Sequence, residues 1–165
     1  MKKLIFFVIV LLIAVAVAGG YLWYLNRDRR LVTELVKSIA SLVEKKSGDL
    51  PHAGVFKYVK IDELFDKTVT LRCQKPVIEG TKSRDELKAM LSMASKFVTE
   101  MQVSTADIEV EVAGNKAVFT FDAEFSGSVS GRNEAFSHVC KVSGTAVKNE
   151  GKWQVSSLIA EEILQ

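Results

Sequence analysis

The chain has 165 residues, a formal net charge of +2, 48% hydrophobic and 25% charged residues. With an apolar N-terminal stretch set aside, about 135 residues remain, which suits one domain with one core. The positive balance is local: residues 1–30 hold five basic residues against one acid, and residues 31–165 hold seventeen against nineteen, a net of −2. That balance gives no reason to expect nucleic acid as a partner.

Leu4 to Leu25 is twenty-two residues without a charge, long enough to cross a hydrocarbon core of about 30 Å as a helix. Lys2 and Lys3 precede it, Arg27, Asp28, Arg29 and Arg30 follow, and Tyr21, Trp23 and Tyr24 suit the headgroup layer. A cleaved secretory signal is the competing reading, because Ala14-Val15-Ala16 and Ala16-Val17-Ala18 place small residues behind a short apolar run. The apolar stretch runs on past those sites, so the expectation is a retained signal-anchor over residues 1–30. The amino group and two lysines favour a cytoplasmic N-terminus, with residues 31–165 as a domain exported to the periplasmic or extracellular side.

Leu31, Val32, Leu35, Val36, Ile39, Leu42 and Val43 recur at helical spacing, predicting a helix that ends before Gly48 and continues out of the membrane span. The stripe lasts only about two heptads, short for a coiled coil. Gly48-Asp49-Leu50-Pro51-His52 reads as a loop with a solvated His52, and Gly54 to Asp66 fits neither period cleanly. Thr68 to Cys73 alternates as a strand, with Val69, Leu71 and Cys73 on one face. Pro76 fits a strand end, and Val77-Ile78 resumes as a short strand.

Ser83-Arg84-Asp85-Glu86 has the form of a capping box. It opens a helix whose stripe is Leu87, Met90, Leu91, Ala94, Phe97 and Val98, with Met90 and Met93 read as core filling. From about Met101 to Glu162 the chain reads as three or four long antiparallel strands. Ile108, Val110 and Val112 alternate with Asp107, Glu109 and Glu111, a solvated face whose carboxylates are too far apart along a strand to share one ion. Ala117, Phe119, Phe121, Ala123 and Phe125 share a core face. His138 stands between Phe136 and Cys140, and Trp153, Val155, Ser157 and Ile159 are expected to share one face of the closing strand.

The order of elements, with Gly80 to Leu91 and the closing Asn149-Glu150-Gly151-Lys152-Trp153-Gln154-Val155, resembles the nuclear transport factor 2-like superfamily over residues 31–163. That superfamily also holds SnoaL-like and ketosteroid-isomerase-like proteins. The resemblance implies an α+β fold, cystatin-like, in which a curved antiparallel sheet and helices form a cone around a pocket. The fold hosts isomerases, dehydratases, binding domains and assembly modules, including single-span members of bacterial secretion machinery. The isomerase pattern requires a carboxylate base with a tyrosine and a protonated acid at the pocket. The soluble region has one tyrosine, Tyr58, and neither it nor any Asp can be placed on that pattern.

Asp66, Arg72 and His138 are the pocket candidates, with His138 and Asp122 the candidate acid–base pair. Cys73 and Cys140 are either two buried thiols or one disulfide. No phosphate-cradling glycine loop and no CxxC or HExxH spacing occurs, so no cofactor and no metal is expected. Two readings follow. One is a membrane-anchored domain binding a protein partner, a second copy or a small apolar ligand without catalysis. The other is a small-pocket isomerase or hydrolase using His138 with a nearby carboxylate.

Overall fold

The computed structural model describes residues 2–46, 48, 53–74, 77–129 and 135–163, without the side chains of 2–14, 16–18, 21, 22, 24, 25 and 53–56. Among the described residues three helices and six strands follow in the order α1 (Lys2–Val43), α2 (Ala53–Leu64), β1 (Phe65–Cys73), β2 (Ile78–Ser83), α3 (Arg84–Phe97), β3 (Val98–Ala113), β4 (Lys116–Val129), β5 (Ala135–Asn149) and β6 (Lys152–Glu162). The strands form one sheet in the order β2-β1-β6-β5-β4-β3. All pairings are antiparallel except β1 with β6.

The expected continuity of the N-terminal helix holds: α1 is one helix of 42 residues. Its N-terminal half stands clear of the sheet, since Val15 and Trp23 are exposed and a side chain at Gly19 or Gly20 would meet nothing. Among the described residues no helix is long and apolar enough to cross a membrane. Most side chains of Leu4–Leu25, on which the anchor expectation rests, lie outside that description, as does His52.

The C-terminal half of α1 packs on the sheet through Val32, Leu35, Val36 and Leu42, all buried. Asp28, one turn before Val32, lies on the same stripe and is 1% exposed. It accepts bonds from Lys148 Nζ at 2.9 and 3.0 Å and from Trp153 Nε1 at 3.2 Å, and the Lys148 ammonium lies 5.6 Å from the Trp153 ring centroid. A carboxylate so deeply buried is tolerable only when its charge is compensated and its oxygens are hydrogen-bonded. Lys148 and Trp153 supply both from the β5–β6 hairpin, tying the helix to the sheet. The other end of the helical segment is held where Lys45 pairs through its backbone with Met101 of β3.

The stretch that fits neither period cleanly is α2. The capping box forms, with Glu86 N donating to Ser83 Oγ and Ser83 N donating to Glu86 Oε2 at 2.8 Å. The helix it opens packs less than its stripe suggests. Leu87 and Leu91 reach the core, but no residue of α3 is fully buried, and Met93 and Phe97 are 62% and 64% exposed. Met93 is therefore not core filling; among the described residues nothing covers the outer part of the α3 stripe.

The phenylalanine face of β4 forms the centre of the core, with Phe119 fully buried and stacked on Phe121 at 6.2 Å. Gly144 of β5 is opposite Phe119 in register, and a Cβ there would fall 2.4 Å from the Phe119 ring and 2.7 Å from a backbone oxygen of β6. The strand gives up a side chain so that the ring can fill the space.

Of the register shifts in the sheet, two set which residues line the middle of its inner face. In β3 the register shifts between Ala106 and Glu109, with Asp107 at φ +50°, so Met101 and Val103 share the inner face with Ile108, Val110 and Val112. In β6 the pairing passes from Ala146↔Val155 to Thr145↔Ser157, leaving Ser156 as the extra residue. Trp153 and Val155 face the core as expected, but beyond the bulge the inward residues are Leu158 and Ala160, not Ser157 and Ile159. An extra residue reverses the side-chain alternation of everything after it.

Replacing Gly144 with Val should destabilise the protein by about 1–3 kcal/mol, the usual cost of overpacking a tight core, measured as the shift of the urea midpoint. The capping box makes a pH-dependent contribution. The Ser83 backbone N–H, the Ser83 hydroxyl and Lys82 hold the Glu86 carboxyl below its ordinary value. Its contribution is present above the unfolded-state value and is lost as pH falls through the lower folded value. Glu86→Gln should therefore flatten the acid limb of a stability–pH profile by lowering stability in the neutral region, with stability at low pH little changed.

Candidate functional site

Between α1 and the concave face of the sheet lie two adjoining apolar spaces that share Val43, Cys73, Ile78, Phe125 and Ala160. The inner one, about 360 Å³, is bounded by Ile39, Ala40 and Val43 of α1, by Phe121, Ala123 and Phe125 of β4, and by Leu71 and Leu158. The outer one, about 690 Å³, adds Met101, Phe136, His138, Cys140 and Glu162, and both spaces open to solvent. Strand register produces this surface. Phe121↔Val142, Ala123↔Cys140 and Phe125↔His138 alternate down β4 and β5, while Val142↔Ala160 and Cys140↔Glu162 continue the rows onto β6.

Of the predicted site residues, His138 lies at this cavity and Asp122 does not. His138 stands at the mouth with its side chain 69% exposed, and its Nδ1 is 3.9 Å from Glu162 Oε1, beyond hydrogen-bond length. Asp122 pairs in register with Lys141 and Ala106, on the face away from Phe121 and Ala123. The carboxylate near His138 is Glu162. Asp66 is remote, at the start of β1, where it accepts from Lys67 N and Asn149 Nδ2. Arg72 borders the inner space, but its guanidinium is turned to Glu79 of β2, at 2.9 Å. Tyr58 lines a separate hollow of about 80 Å³ beneath α3.

Cys73 and Cys140 are half-buried on the wall of the outer space and are not joined in a disulfide. Strand β6 separates β1 from β5, and Cys73 is level with Ala160 while Cys140 is level with Glu162, so two strand spacings and a two-residue offset keep the thiols outside disulfide reach. Among the described residues no three metal-ligating side chains cluster. Asp107, Glu109 and Glu111 are exposed.

The sequence reading missed Glu162, Leu158 and Ala160, because alternation carried through Ser156 assigns them to the wrong face. The one available signal was the Ser156-Ser157 pair in a strand otherwise apolar on its inner side. Burial pushes the Cys140 thiol above its ordinary value, and Cys73 and Asp122 add in the same direction. Alkylation of Cys140 should therefore set in at higher pH than for an open thiol, read as reaction rate against pH by mass spectrometry. Forming the thiolate in the fold is disfavoured, so stability is full below the unfolded-state value and falls as pH rises through the folded one.

No family model and no curated protein sequence matches the chain. Solved structures do resemble it. A candidate scytalone dehydratase from Novosphingobium aromaticivorans superposes with a TM-score of 0.66 at 14% identity, covering 84% of this chain and 86% of that one. A hexachlorocyclohexane dehydrochlorinase gives 0.67 at 13% identity over 84% and 87%. A nuclear transport factor 2-like protein from Salmonella enterica gives 0.59 at 13% identity over 81% and 94%. With the curved six-stranded sheet and its three helices, these likenesses show that the chain has the α+β fold of the nuclear transport factor 2-like superfamily.

Proposed function

We propose that this chain is a membrane-anchored domain that binds a small apolar ligand in the cavity beneath α1, without catalysis. The character of the cavity wall carries the reading. Aliphatic and aromatic side chains make up nearly all of it, and among the described residues its wall holds no acid–base pair apart from His138 and Glu162. General acid–base catalysis needs groups within about 3.2 Å of each other or of the transferred proton. The nearest arrangement, His138 with Glu162, is wider than that and lies at the solvent-facing mouth. Leu4–Leu25 and the unbroken helix into the domain support anchoring, with the domain exported.

A second reading is favoured by that same mouth and by the neighbours described as dehydratase and dehydrochlorinase: a small-pocket enzyme in which His138 works with Glu162. Native mass spectrometry of the full chain, extracted gently from its own membrane, separates the two. Binding predicts an added mass of small-molecule size, released unchanged on denaturation. A product differing from the retained molecule, whose formation stops in His138→Ala, would instead establish turnover. An added mass of protein size would point to a partner or a second copy, and no added mass would contradict a tightly held ligand.

A further inference from the structure

We propose that the end of the domain from which α1 emerges is a binding surface for anionic phospholipid headgroups. Arg27, Arg29 and Arg30 of α1 form it together with Lys116 and Lys152 of the sheet. The inference rests on the anchored reading and adds the class of lipid that the anchored domain selects.

The fold gathers these cations from three parts of the chain. Lys148 bonds to Asp28 through its ammonium, and its backbone N–H donates to the Asn115 carbonyl at 2.9 Å. The β3–β4 and β5–β6 turns therefore stand together beside the point where α1 leaves the sheet. Lys116 pairs in register with Val147 and Lys152 with Asn149, which puts one lysine on each flank of the end of β5. Arg27, Arg29 and Arg30 surround Asp28 in sequence on α1. All five residues are exposed, and among the described residues none has a carboxylate partner. The acid of Asp28 is taken up by Lys148. Glu150 is the one acid in the two turns; Asp66, bonded to Asn149, and Glu111, level with Val118, lie further from their tips.

Height decides what these cations meet. Trp23 is 66% exposed, with the Arg27 guanidinium 5.9 Å from its ring centroid, and such a ring settles at headgroup level. From Trp23 to Asp28 is five residues, about 7.5 Å of helix rise, and the headgroup layer is about 5–8 Å deep. Asp28 and the turns fixed beside it thus come to the outer edge of that layer, within the roughly 8 Å over which a charged surface acts at physiological salt. Because α1 is unbroken here and Asp28 is buried, the domain has no linker on which to lift away. The cations are held against the bilayer, where an anionic lipid gains from them and a zwitterionic one does not.

The test uses the full chain in lipid nanodiscs made of phosphatidylcholine alone, or of phosphatidylcholine and phosphatidylglycerol in equal parts. Acetylation of Lys116 and Lys152 is followed by mass spectrometry. The exposed Lys141 is the reference, seven residues from Lys148 along β5, about 23 Å of strand. Lys116 and Lys152 should react several-fold more slowly in the anionic nanodiscs, Lys141 equally in both, and high salt should remove the difference. Native mass spectrometry of the chain extracted from the mixed bilayer should find phosphatidylglycerol enriched. That enrichment should fall about fivefold per cation removed in Lys116→Gln, Lys152→Gln and Arg30→Gln, and stay unchanged in Lys141→Gln. Equal acetylation in both nanodiscs would overturn the surface. Enrichment lost in Arg30→Gln but kept in both lysine variants would overturn the part assigned to the sheet. Inorganic phosphate protecting as well as phosphatidylglycerol would assign the cations to a soluble anion and overturn the lipid. A chain washed from the bilayer by alkaline carbonate would instead remove the anchored reading, and the surface with it.

Discussion

The contact on which the rest depends is the carboxylate of Asp28, held by the Lys148 ammonium and the Trp153 indole. Removing a charge from water costs several kcal/mol, and a buried ion pair does not by itself add net stability. Its effect is on geometry. With Asp28 on the buried stripe, α1 has one rotation and one height on the sheet that satisfy the acid, and any slip strands it without partners. That rotation turns Val32, Leu35 and Val36 into the core and brings Ile39, Ala40 and Val43 over the concave face as the roof of the cavity. The same contact joins the domain to the helical segment that projects from it, so seating the helix and forming the trough are one event.

The apolar lining of the cavity has a second source in the bulges at Asp107 and Ser156. Each adds one residue and reverses the alternation beyond it, so β3 and β6 contribute apolar side chains to the concave face along nearly their whole length. Without the shift at Ser156, Leu158 and Ala160 would point outward and Ser157 and Ile159 would line the wall. A polar hydroxyl would then stand in the apolar trough. Glu162 reaches the mouth for the same reason, which places a carboxylate near His138 at the rim and none in the depth.

Much of this was legible in the residues. The capping box at Ser83, the phenylalanine face of β4, the turn before Trp153 and the unbroken run from Leu25 to Leu31 each express a local preference that the packed structure keeps. The order of elements was enough to suggest the fold. What escaped were features set by contacts distant in sequence. Asp28 looked like one of a cluster of flanking charges, although its spacing to Val32, Leu35, Val36 and Ile39 put it on the apolar stripe. The His138–Asp122 pairing failed because register, which sequence does not display, put them on opposite faces and made Glu162 the neighbour. The disulfide failed because a parallel strand from the end of the chain inserts between β1 and β5. The neighbours with enzyme names share this architecture at 13–14% identity, and residues at a cavity wall differ freely at that distance.

A double-mutant cycle on Asp28→Asn and Lys148→Met tests most directly whether this buried contact seats α1. Unfolding of the full chain would be followed by Trp153 fluorescence in a Trp23→Phe background. The account predicts that each single change destabilises by about 3–5 kcal/mol, because each leaves a buried group uncompensated. The double variant should recover a large part of that loss, with a coupling energy of roughly 1–3 kcal/mol. Two small and additive effects would contradict it and would leave the apolar stripe alone to seat the helix.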